Sequence, residues 1–482
     1  MTFDSQDFLI FFAVIFIAWF FIQNLERRIR NGFLLISSYF FYGYWSPAFV
    51  ILIVISTLVD FYLAKAITQA DNTKKKKQLV SVSVIVNLAI LGFFKYFNFF
   101  IDSALIILPE GSFIAPAMEV ILPIGISFYT FQSMSYSIDV YRGKIKPADS
   151  LLDFALYIAF FPQLVAGPIE RARNMLPQFA QKPRVSVVRT LDGFDLCIRG
   201  YFKKVVIADN LAPLVNLVFG DVDSASGLSL WIATYAFAFQ IYADFSGYSD
   251  IARGTAKLLG FELMVNFNSP YRSLSLTEFW QRWHISLSTW FRDYLYKPLR
   301  GKGRSKFIQL RAVFLVMALC GLWHGAAWNF VLFGLFHGIL LFIHNASIPF
   351  LKVMKSKFNN FGKILFKFVS WFVTFHLVII SFVMFRAESI ADIATAFEKM
   401  LVNPLSLYLG SGFSFIPNAG LGEQAFYIVI ILGALLAQFS NFETKHSLSR
   451  NNIFRGARGA LSLSLLFLLY PAVKEQFIYF QF

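Results

Sequence analysis

The chain has 482 residues, of which 57% are hydrophobic and 15% are charged, and phenylalanine occurs 60 times. This composition excludes an ordinary soluble globular protein and is typical of a polytopic helical membrane protein. The formal net charge of +15 comes from Lys and Arg in short loops between apolar runs. The positive-inside rule explains that distribution, so we predict membrane lipid as the surrounding and no nucleic acid as a partner.

The N-terminal part of the chain predicts successive spans. Residues 8–22 are apolar and end at a basic cluster, which predicts a first span with the N-terminus outside the cytoplasm. The apolar run over residues 33–66 carries Pro47 in its middle and predicts a helical hairpin or a broken pair. Residues 79–101 predict the next outward crossing, toward an acidic and proline-rich loop.

Two further segments combine apolar sequence with groups that lipid does not tolerate. Residues 122–143 carry Gln132 and several serines, which predicts a helix that faces the protein interior, with a break near Pro123 and Gly125. Residues 157–169 (YIAFFPQLVAGPI) contain Pro and Gly. They predict unwound or re-entrant backbone that is buried in protein beside a cavity.

The apolar segment over residues 231–251 places Asp244 among aromatic residues. A carboxylate there has to be paired or neutralised, so Asp244 is predicted either to clamp an arginine, which we favour, or to belong to a functional site. Upstream of it, Arg199, Lys203 and Lys204 occur at helical spacings on a partly apolar segment. We interpret that segment as interfacial.

Three of the six histidines fall within residues 279–338. His284 and His324 each follow a tryptophan, and His324 lies in a long apolar run without charged residues. A titratable group in such a run predicts a functional site. The two Trp-His pairs favour that interpretation over imidazoles that only bond to backbone carbonyls. Packing roles fit His337 and His376 better.

Ser275 and Glu278 form an N-capping pattern that predicts the start of a helix. Residues at spacings of three or four would give this helix one aromatic face, namely Trp283, Leu287, Trp290 and Tyr294. We interpret it as an interfacial amphipathic helix on the cytoplasmic side of the membrane.

Residues 292–306, here called the basic lip, contain six basic residues and one acidic residue, Asp293. Two interpretations are equally open. The lip is either a topology signal that also contacts anionic lipid, or a phosphate-binding site. The candidate phosphate contacts are Arg292, Lys297 and Arg300.

The apolar runs predict about eleven or twelve crossings in a single integral membrane domain that covers residues 1–482 and leaves both termini outside the cytoplasm. The sequence contains no Walker motif, dinucleotide fingerprint or zinc spacing, and Cys197 and Cys320 are isolated, so no metal or redox cofactor is indicated. A transporter or flippase of an acylated carrier or glycan is the non-enzyme alternative. It is disfavoured because the sequence shows neither two related halves nor paired intramembrane charges.

Four motifs resemble those of the membrane-bound O-acyltransferase family. They are PQLVAGPIER (162–171), YADFSGYSDIARG (242–254), FWQRWHISLSTWFRDYLY (279–296) and GLWHGAAWNF (321–330). The resemblance is strongest to members that serve bacterial alginate O-acetylation, and it extends from Phe33 to the last residue. It implies an all-α fold in which about eleven or twelve helices, some broken or re-entrant, form a ring around a catalytic tunnel, with the core motifs in residues 122–345.

The same resemblance implies roles for residues and partners. His324 would be the catalytic histidine and His284 the second motif histidine, with acetyl-CoA as the donor at a cytoplasmic mouth. The acetyl group would cross the bacterial inner membrane to a periplasmic acetyltransferase partner that completes the O-acetylation of an exported, alginate-like polysaccharide. Related subunits transfer D-alanine or acylate peptidoglycan, so the acyl group and the final acceptor stay open. The chemistry agrees, because neutral imidazole can take the proton of an attacking hydroxyl.

The tail over residues 474–482 (KEQFIYFQF) resembles the C-terminal tyrosine motif through which related export systems are thought to relay the acyl group. A phenol, with a pKa of about 10, forms an activated ester that can hand the acyl group on to another hydroxyl. We therefore predict that Tyr479 receives the acyl group, with His324 as the base. The alternative is an aromatic end that only anchors in the outer interface of the membrane.

Overall fold

The structure, a computed structural model, describes residues 1–108, 120–301, 305–404, 416, 419–439, 452–471 and 476–478. Every regular element in these ranges is a helix. Within them, the helices long and apolar enough to cross a membrane are Pro47–Gln69, Thr73–Leu105, Phe307–His324, Trp328–Ser356, Asn360–Arg386 and Leu421–Phe439. The chain is therefore an all-helical, multi-pass membrane protein. The count of eleven or twelve crossings and the ring around a tunnel stay predictions.

The helices follow one another in this order: α1 (Gln6–Ile22), α2 (Arg27–Gly43), α3 (Pro47–Gln69), α4 (Thr73–Leu91), α5 (Phe97–Ile107), α6 (Ile126–Tyr141), α7 (Leu151–Ala159), α8 (Phe161–Leu164), α9 (Ala172–Ala180), α10 (Val187–Tyr201), α11 (Asp209–Phe219), α12 (Gly227–Leu258), α13 (Leu276–Arg282), α14 (Ile285–Phe291), α15 (Lys297–Arg300), α16 (Lys306–His324), α17 (Trp328–Ser356), α18 (Asn360–Arg386), α19 (Ile390–Val402), α20 (Leu421–Phe439) and α21 (Asn452–Leu468). Short π-helical segments, Gly92–Tyr96, Phe202–Ala208 and Arg292–Tyr296, and the 3₁₀ turn Pro270–Arg272 lie between them.

The chain divides into two compact units. Unit 1 comprises Met1–Cys197 and Tyr248–Met264, and unit 2 comprises Ile198–Gly247 and Val265–Phe482. The single membrane domain expected for residues 1–482 stays a prediction. Both Trp-His motifs belong to unit 2.

Unit 1 contains the three helix breaks expected from its sequence. Pro47 is the first residue of α3, where its missing N–H costs nothing, so the break in the run 33–66 is confirmed. Before α6, Gly125 has a φ of +77°, and a Cβ there would lie 2.7 Å from the Leu164 carbonyl oxygen. Only glycine fits both conditions. The chain also unwinds at Phe160, between α7 and α8, and that segment is buried as predicted.

The polar face of α6 turns inward because a buried carboxylate lies there. Asp60 on α3 accepts hydrogen bonds from Ser83 and Asn87 on α4 and from Ser133 and Ser137 on α6. All five side chains are buried. The prediction that the serines of residues 122–143 face the protein interior is confirmed, since they help to hold this carboxylate away from lipid.

Unit 2 contains a tight helical hairpin formed by α16 and α17. A Cβ on Gly321 would lie 2.0 Å from the Phe330 carbonyl oxygen, and a Cβ on Gly334 would lie 2.1 Å from the Met317 carbonyl oxygen. The two backbones therefore approach each other at a distance that no side chain permits, as small residues commonly allow in membrane helices. This close approach fixes the position of His324, the last residue of α16.

Gly334→Val should prevent this hairpin from closing, because the added atoms would collide with backbone that cannot move aside. Overpacking of this kind costs about 1–3 kcal/mol or more. We expect the yield of monodisperse protein in detergent to fall strongly. Gly433→Val on α20 is the matched control, since Gly433 has open space around it and should keep a normal yield. Equal yields of the two variants would contradict the close approach.

Candidate active site

His324 lies at the end of α16, where the chain leaves the helix in an extended conformation at Gly325 (φ −157°). Its side chain is 3% exposed. Its ring centroid lies 5.0 Å from that of Trp323 and 5.2 Å from that of Phe385 on α18. The imidazole is therefore surrounded by aromatic rings within unit 2, as expected for a titratable group placed in an apolar interior.

His284 lies at a helix break that the sequence does not predict. The continuous helix expected after Ser275 is wrong, because α13 ends at Arg282, His284 has a φ of +41°, and α14 begins at Ile285. The first N–H groups of α14 find acceptors on a distant residue, Asn266. Its carbonyl oxygen accepts from Ile285 at 2.9 Å, and its side-chain Oδ1 accepts from the Ser286 N–H at 3.2 Å. Asn266 thus satisfies donors that a helix start would otherwise leave open.

The two motif histidines share one aromatic neighbour. The His284 ring is completely buried and lies 5.5 Å from the ring of Trp323, which is also in contact with His324. The His284 ring also contacts Phe245, with 4.6 Å between the two ring centroids. Burial lowers the pKa of the His284 imidazole well below its usual value of 6.5, and a charge on His324 would lower it further. His284 is therefore neutral at cellular pH.

The aromatic face predicted for an interfacial helix is buried in protein instead. This correction concerns Trp283, Leu287, Trp290 and Tyr294, all of which are buried. The Ser275 cap is confirmed, because its hydroxyl accepts the Glu278 N–H at 3.2 Å. The carboxylate of Glu278 accepts from the Leu274 N–H and pairs with Arg282. The aromatic face packs inward because the break at His284 redirects the chain and sets α14 against other parts of unit 2.

A mainly apolar cavity of about 340 Å³ lies along one face of α16. The α16 residues that line it are Val313, Val316, Met317 and Cys320. They recur at spacings of three or four, so His324, four residues after Cys320, is the next position on the same helix face. Trp280 on α13 and Arg292 also line the cavity. Its size and lining are those of a small-molecule site with a few polar groups.

The described part of the basic lip is organised around Asp293. Arg292 Nε lies 3.1 Å from the Asp293 carboxylate and Lys297 Nζ lies 2.7 Å from it. Partial burial raises the pKa of the Asp293 carboxyl, but the hydrogen bonds and charges of its two partners outweigh this effect and bring the pKa to about 2. Both cations are more than half exposed, at 55% and 63%, and Arg300 is exposed too. Lys302 and Arg304 lie outside the described residues.

Lys204 is not an interfacial residue, and that expectation is wrong. It is 3% exposed, and its Nζ lies 2.7 Å from Asp209 Oδ1 and 3.0 Å from Asp244 Oδ1. Lys204 belongs to the π-helical segment Phe202–Ala208, whose extra residue per turn shifts side chains away from their α-helical directions. The interpretation of Asp244 as a clamp is confirmed in kind, but its partner is a lysine rather than an arginine.

His337 and His376 have structural partners. His337 Nε2 lies 3.0 Å from the Ser381 hydroxyl, in buried surroundings. His376 Nδ1 donates to the Phe372 carbonyl at 2.7 Å, so its Nε2 accepts from the Tyr235 hydroxyl at 2.8 Å. The packing roles expected for both are confirmed. In the part of the chain that the structure describes, no three His, Cys, Asp or Glu side chains form a metal-ligand group.

The C-terminal tail returns to the histidine pair. Phe477 and Ile478 are buried, and the Ile478 N–H donates to Asp244 Oδ2 at 2.7 Å. The Phe477 ring lies 5.9 Å from the ring of Phe245, which in turn contacts His284. Tyr479 itself lies outside the described residues. The residues that directly precede it are thus separated from His284 by a single aromatic ring.

The sequence did not indicate the roles of Asn266 and Asp209. Asn266 supports the start of α14, and Asp209 pairs with Lys204. Asn266 lies between α12 and α13, outside any regular element, where its polar side chain could equally have been solvated. Asp209 follows Lys204 by five residues, a spacing that pairs poorly on a regular α-helix but works across a π-helical segment. The acidic residue close behind a lysine in apolar sequence was the signal that could have suggested this pair.

The fold and the site together define a class, that of multi-pass membrane enzymes that hold a buried histidine pair beside an apolar cavity with a basic rim. The family model of the membrane-bound O-acyltransferases matches residues 36–386. The chain belongs to this family and is an acyltransferase, which sets aside the transporter alternative.

Relatives of known name agree with this assignment. The chain is 41% identical over 402 residues to the probable alginate O-acetylase AlgI of Pseudomonas aeruginosa, covering 83% of this chain and 75% of that protein. It is 33% identical over 426 residues to the peptidoglycan O-acetyltransferase of Helicobacter pylori, covering 82% and 79%. It is 29% identical over 281 residues to the teichoic acid D-alanyltransferase of Streptococcus thermophilus, covering 54% and 68%.

The lowered pKa of His284 should make the folded protein sensitive to mild acid. Below about pH 6.5 the unfolded chain takes up a proton at this position, whereas the folded chain does not. Stability is therefore present above that pH and falls as the pH decreases, by about 1.4 kcal/mol between pH 7.5 and 5.5. We expect acidification to lower the melting temperature of the wild type in detergent more than that of His284→Asn. Equal shifts would show that His284 titrates normally in the folded protein.

Proposed function

We propose that this chain takes an acetyl group from acetyl-CoA on the cytoplasmic side of the bacterial inner membrane and passes it outward to its own Tyr479. A periplasmic acetyltransferase partner then completes the O-acetylation of an exported, alginate-like polysaccharide. The identity to alginate O-acetylases over most of the chain supports this acceptor. Peptidoglycan acylation and D-alanyl transfer are the alternatives, supported by more distant relatives.

The observation that carries the proposal is the cavity that follows one face of α16 toward His324. Arg292 lines the cavity, is more than half exposed and belongs to the basic lip. The several cations of the lip would bind the phosphates of the donor. Along α16 the cavity wall is apolar as far as Cys320, one helical turn before His324. Acetyl-CoA matches this arrangement, because it has charged phosphates at one end and a reactive thioester carbonyl at the other. The phosphates would stay at the lip while the thioester approaches His324.

The transfer chemistry then needs only a base and an acceptor hydroxyl. His324 takes the proton of the Tyr479 hydroxyl as the phenolic oxygen attacks the thioester carbonyl carbon. The C–S bond breaks, and the thiolate of CoA leaves and recovers the proton from His324. A hydroxyl of the partner next attacks the tyrosyl ester and regenerates the phenol. Neutral imidazole is suited to the first step, since a base that is already protonated cannot act.

The neighbouring groups assist without reacting. His284 is neutral and also contacts the Trp323 indole, so we assign it a positioning role at the site. The aromatic surroundings of His324 exclude water, which protects the thioester from hydrolysis. Both termini are proposed to lie outside the cytoplasm, which places the tail on the side where the partner works.

Two variants separate the proposed steps. His324→Ala removes the base and should lower the rate of CoA release by the purified protein by about 100-fold or more. Tyr479→Phe keeps the aromatic ring and removes only the hydroxyl. It should abolish glycan acetylation in cells while the protein still inserts and is produced normally.

The matched control for the first variant is His376→Ala. It removes an imidazole from α18 in the same unit, where His376 bonds to Tyr235 instead of lying at the site. That control should keep most of the wild-type rate. If His324→Ala retains more than about a tenth of the rate, the base is another group. Normal glycan acetylation by Tyr479→Phe would rule out the relay and leave the tail as a membrane anchor.

Removing charge from the lip should weaken donor binding. In the triple variant Arg292→Ala, Lys297→Ala and Arg300→Ala we expect a raised apparent KM for acetyl-CoA, and less dependence of that KM on salt than in the wild type. The control replaces three exposed lysines of α17 and the residue after it, namely Lys352, Lys355 and Lys357, by Ala. If the lip is only a topology signal, both triple variants will have wild-type donor kinetics once inserted.

A further inference from the structure

The C-terminal tail is held in unit 2 by a buried backbone hydrogen bond as well as by apolar packing. Ile478 belongs to the hydrophobic core of this unit and is 3% exposed. Its N–H points at Asp244 Oδ2, at 2.7 Å. A hydrogen bond to a charged acceptor is about twice as strong as one between neutral groups. The attachment therefore depends on Asp244 staying ionised in an apolar interior.

The ammonium group of Lys204 stabilises the ionised form of Asp244. This group lies 3.0 Å from Asp244 Oδ1, the oxygen that does not face the tail, and 2.7 Å from Asp209. The three charged side chains are almost completely buried. Removing one partner from a buried pair is strongly destabilising, so these groups specify one arrangement rather than a range of them. Asp244 thus has one oxygen on the cation and the other on the tail.

The tail is held close to the histidine pair. The residue before Ile478, Phe477, packs on Phe245, and Phe245 packs on His284. The residue after Ile478 is Tyr479. A tail that left this position would carry Phe477 away from Phe245.

We propose that Asp244, kept ionised by Lys204, is a positioning residue that clamps the C-terminal tail through the Ile478 N–H and so keeps Phe477 and Ile478 close to the histidine pair. The clamp acts on the backbone and does not react. Its importance for acyl transfer rests on the proposed relay through Tyr479, whereas its hold on the tail does not.

Accessibility of the tail tests the clamp directly. In an Ile478→Cys background the backbone N–H is kept, and the new thiol is buried as long as the tail is docked. Trypsin cuts after Lys474, so the peptide 475–482 carries the new cysteine apart from Cys197 and Cys320. The rate at which a membrane-permeant maleimide labels this peptide is measured by mass spectrometry. We expect Asp244→Ala to raise that rate about tenfold or more, as loss of a charged hydrogen bond implies.

Asp209→Asn is the matched control, because it keeps an oxygen acceptor for Lys204 and leaves the acceptor of the Ile478 N–H in place. Its labelling rate should stay within about twofold of the parent, by the same argument. Asp244→Asn keeps the shape of the side chain and a neutral acceptor, so it should label at an intermediate rate. This variant decides the outcome if Asp244→Ala does not insert. Fast labelling in the parent, or equal rates in the Asp209 and Asp244 variants, would overturn the clamp.

Glycan acetylation in cells, measured with native Ile478, separates the clamp from the relay. If the tail is freed and glycan acetylation falls at least about fivefold, both the clamp and the relay are supported. This threshold is set below the tenfold rise in labelling rate that loss of one charged hydrogen bond implies. A freed tail with normal acetylation supports the clamp and overturns the relay. A tail that stays protected in both Asp244 variants overturns the clamp, whatever the level of acetylation.

Discussion

A polar group inside this protein is stable only where another part of the chain supplies its partner, because apolar surroundings provide no water to bond with. Asp60 shows the constraint in unit 1, since its carboxylate collects donors from two other helices. Asn266 shows it in unit 2, where one side chain and its own carbonyl complete the start of α14. These contacts join residues far apart in sequence. They leave few alternatives for the placement of the helices that carry them.

The histidine pair depends on the same constraint. α16 ends at His324 because Gly325 is extended, and α17 can return along α16 because two glycines allow their backbones to approach. His284 reaches Trp323 from a break in the chain, where its own backbone is left-handed. A residue with a side chain adopts that conformation at a cost and keeps it only where surrounding contacts impose it, which is common at functional sites. Aromatic rings around both imidazoles leave the two side chains almost completely buried.

Burial gives the basic residues of unit 2 two different roles. Arg292 and Lys297 are exposed, and exposed ion pairs such as theirs with Asp293 contribute about 1 kcal/mol or less, so a phosphate can replace Asp293 as a partner at little cost. Lys204 is buried between two carboxylates, where breaking a pair costs about 3–5 kcal/mol. Exposed charge of this kind suits the reversible donor binding that we propose for the lip, whereas the buried pair suits the lasting attachment that we propose for the tail.

The sequence alone determined that the protein is an all-helical, multi-pass membrane protein, because long apolar runs are a local property. Its four motifs carried the resemblance that pointed to an acyltransferase. It also located the breaks at Pro47 and Gly125, where the residue type itself restricts the backbone. The tertiary structure decided that the aromatic face of α14 is buried, that Lys204 is a core residue, and that Phe477 lies one ring away from His284. Periodicity identifies which residues share a face but not what that face meets. A π-helical segment and a left-handed residue also change the direction of side chains without altering the composition. Which groups come together at the site was therefore settled by contacts between distant segments, on which residue spacing carries no information.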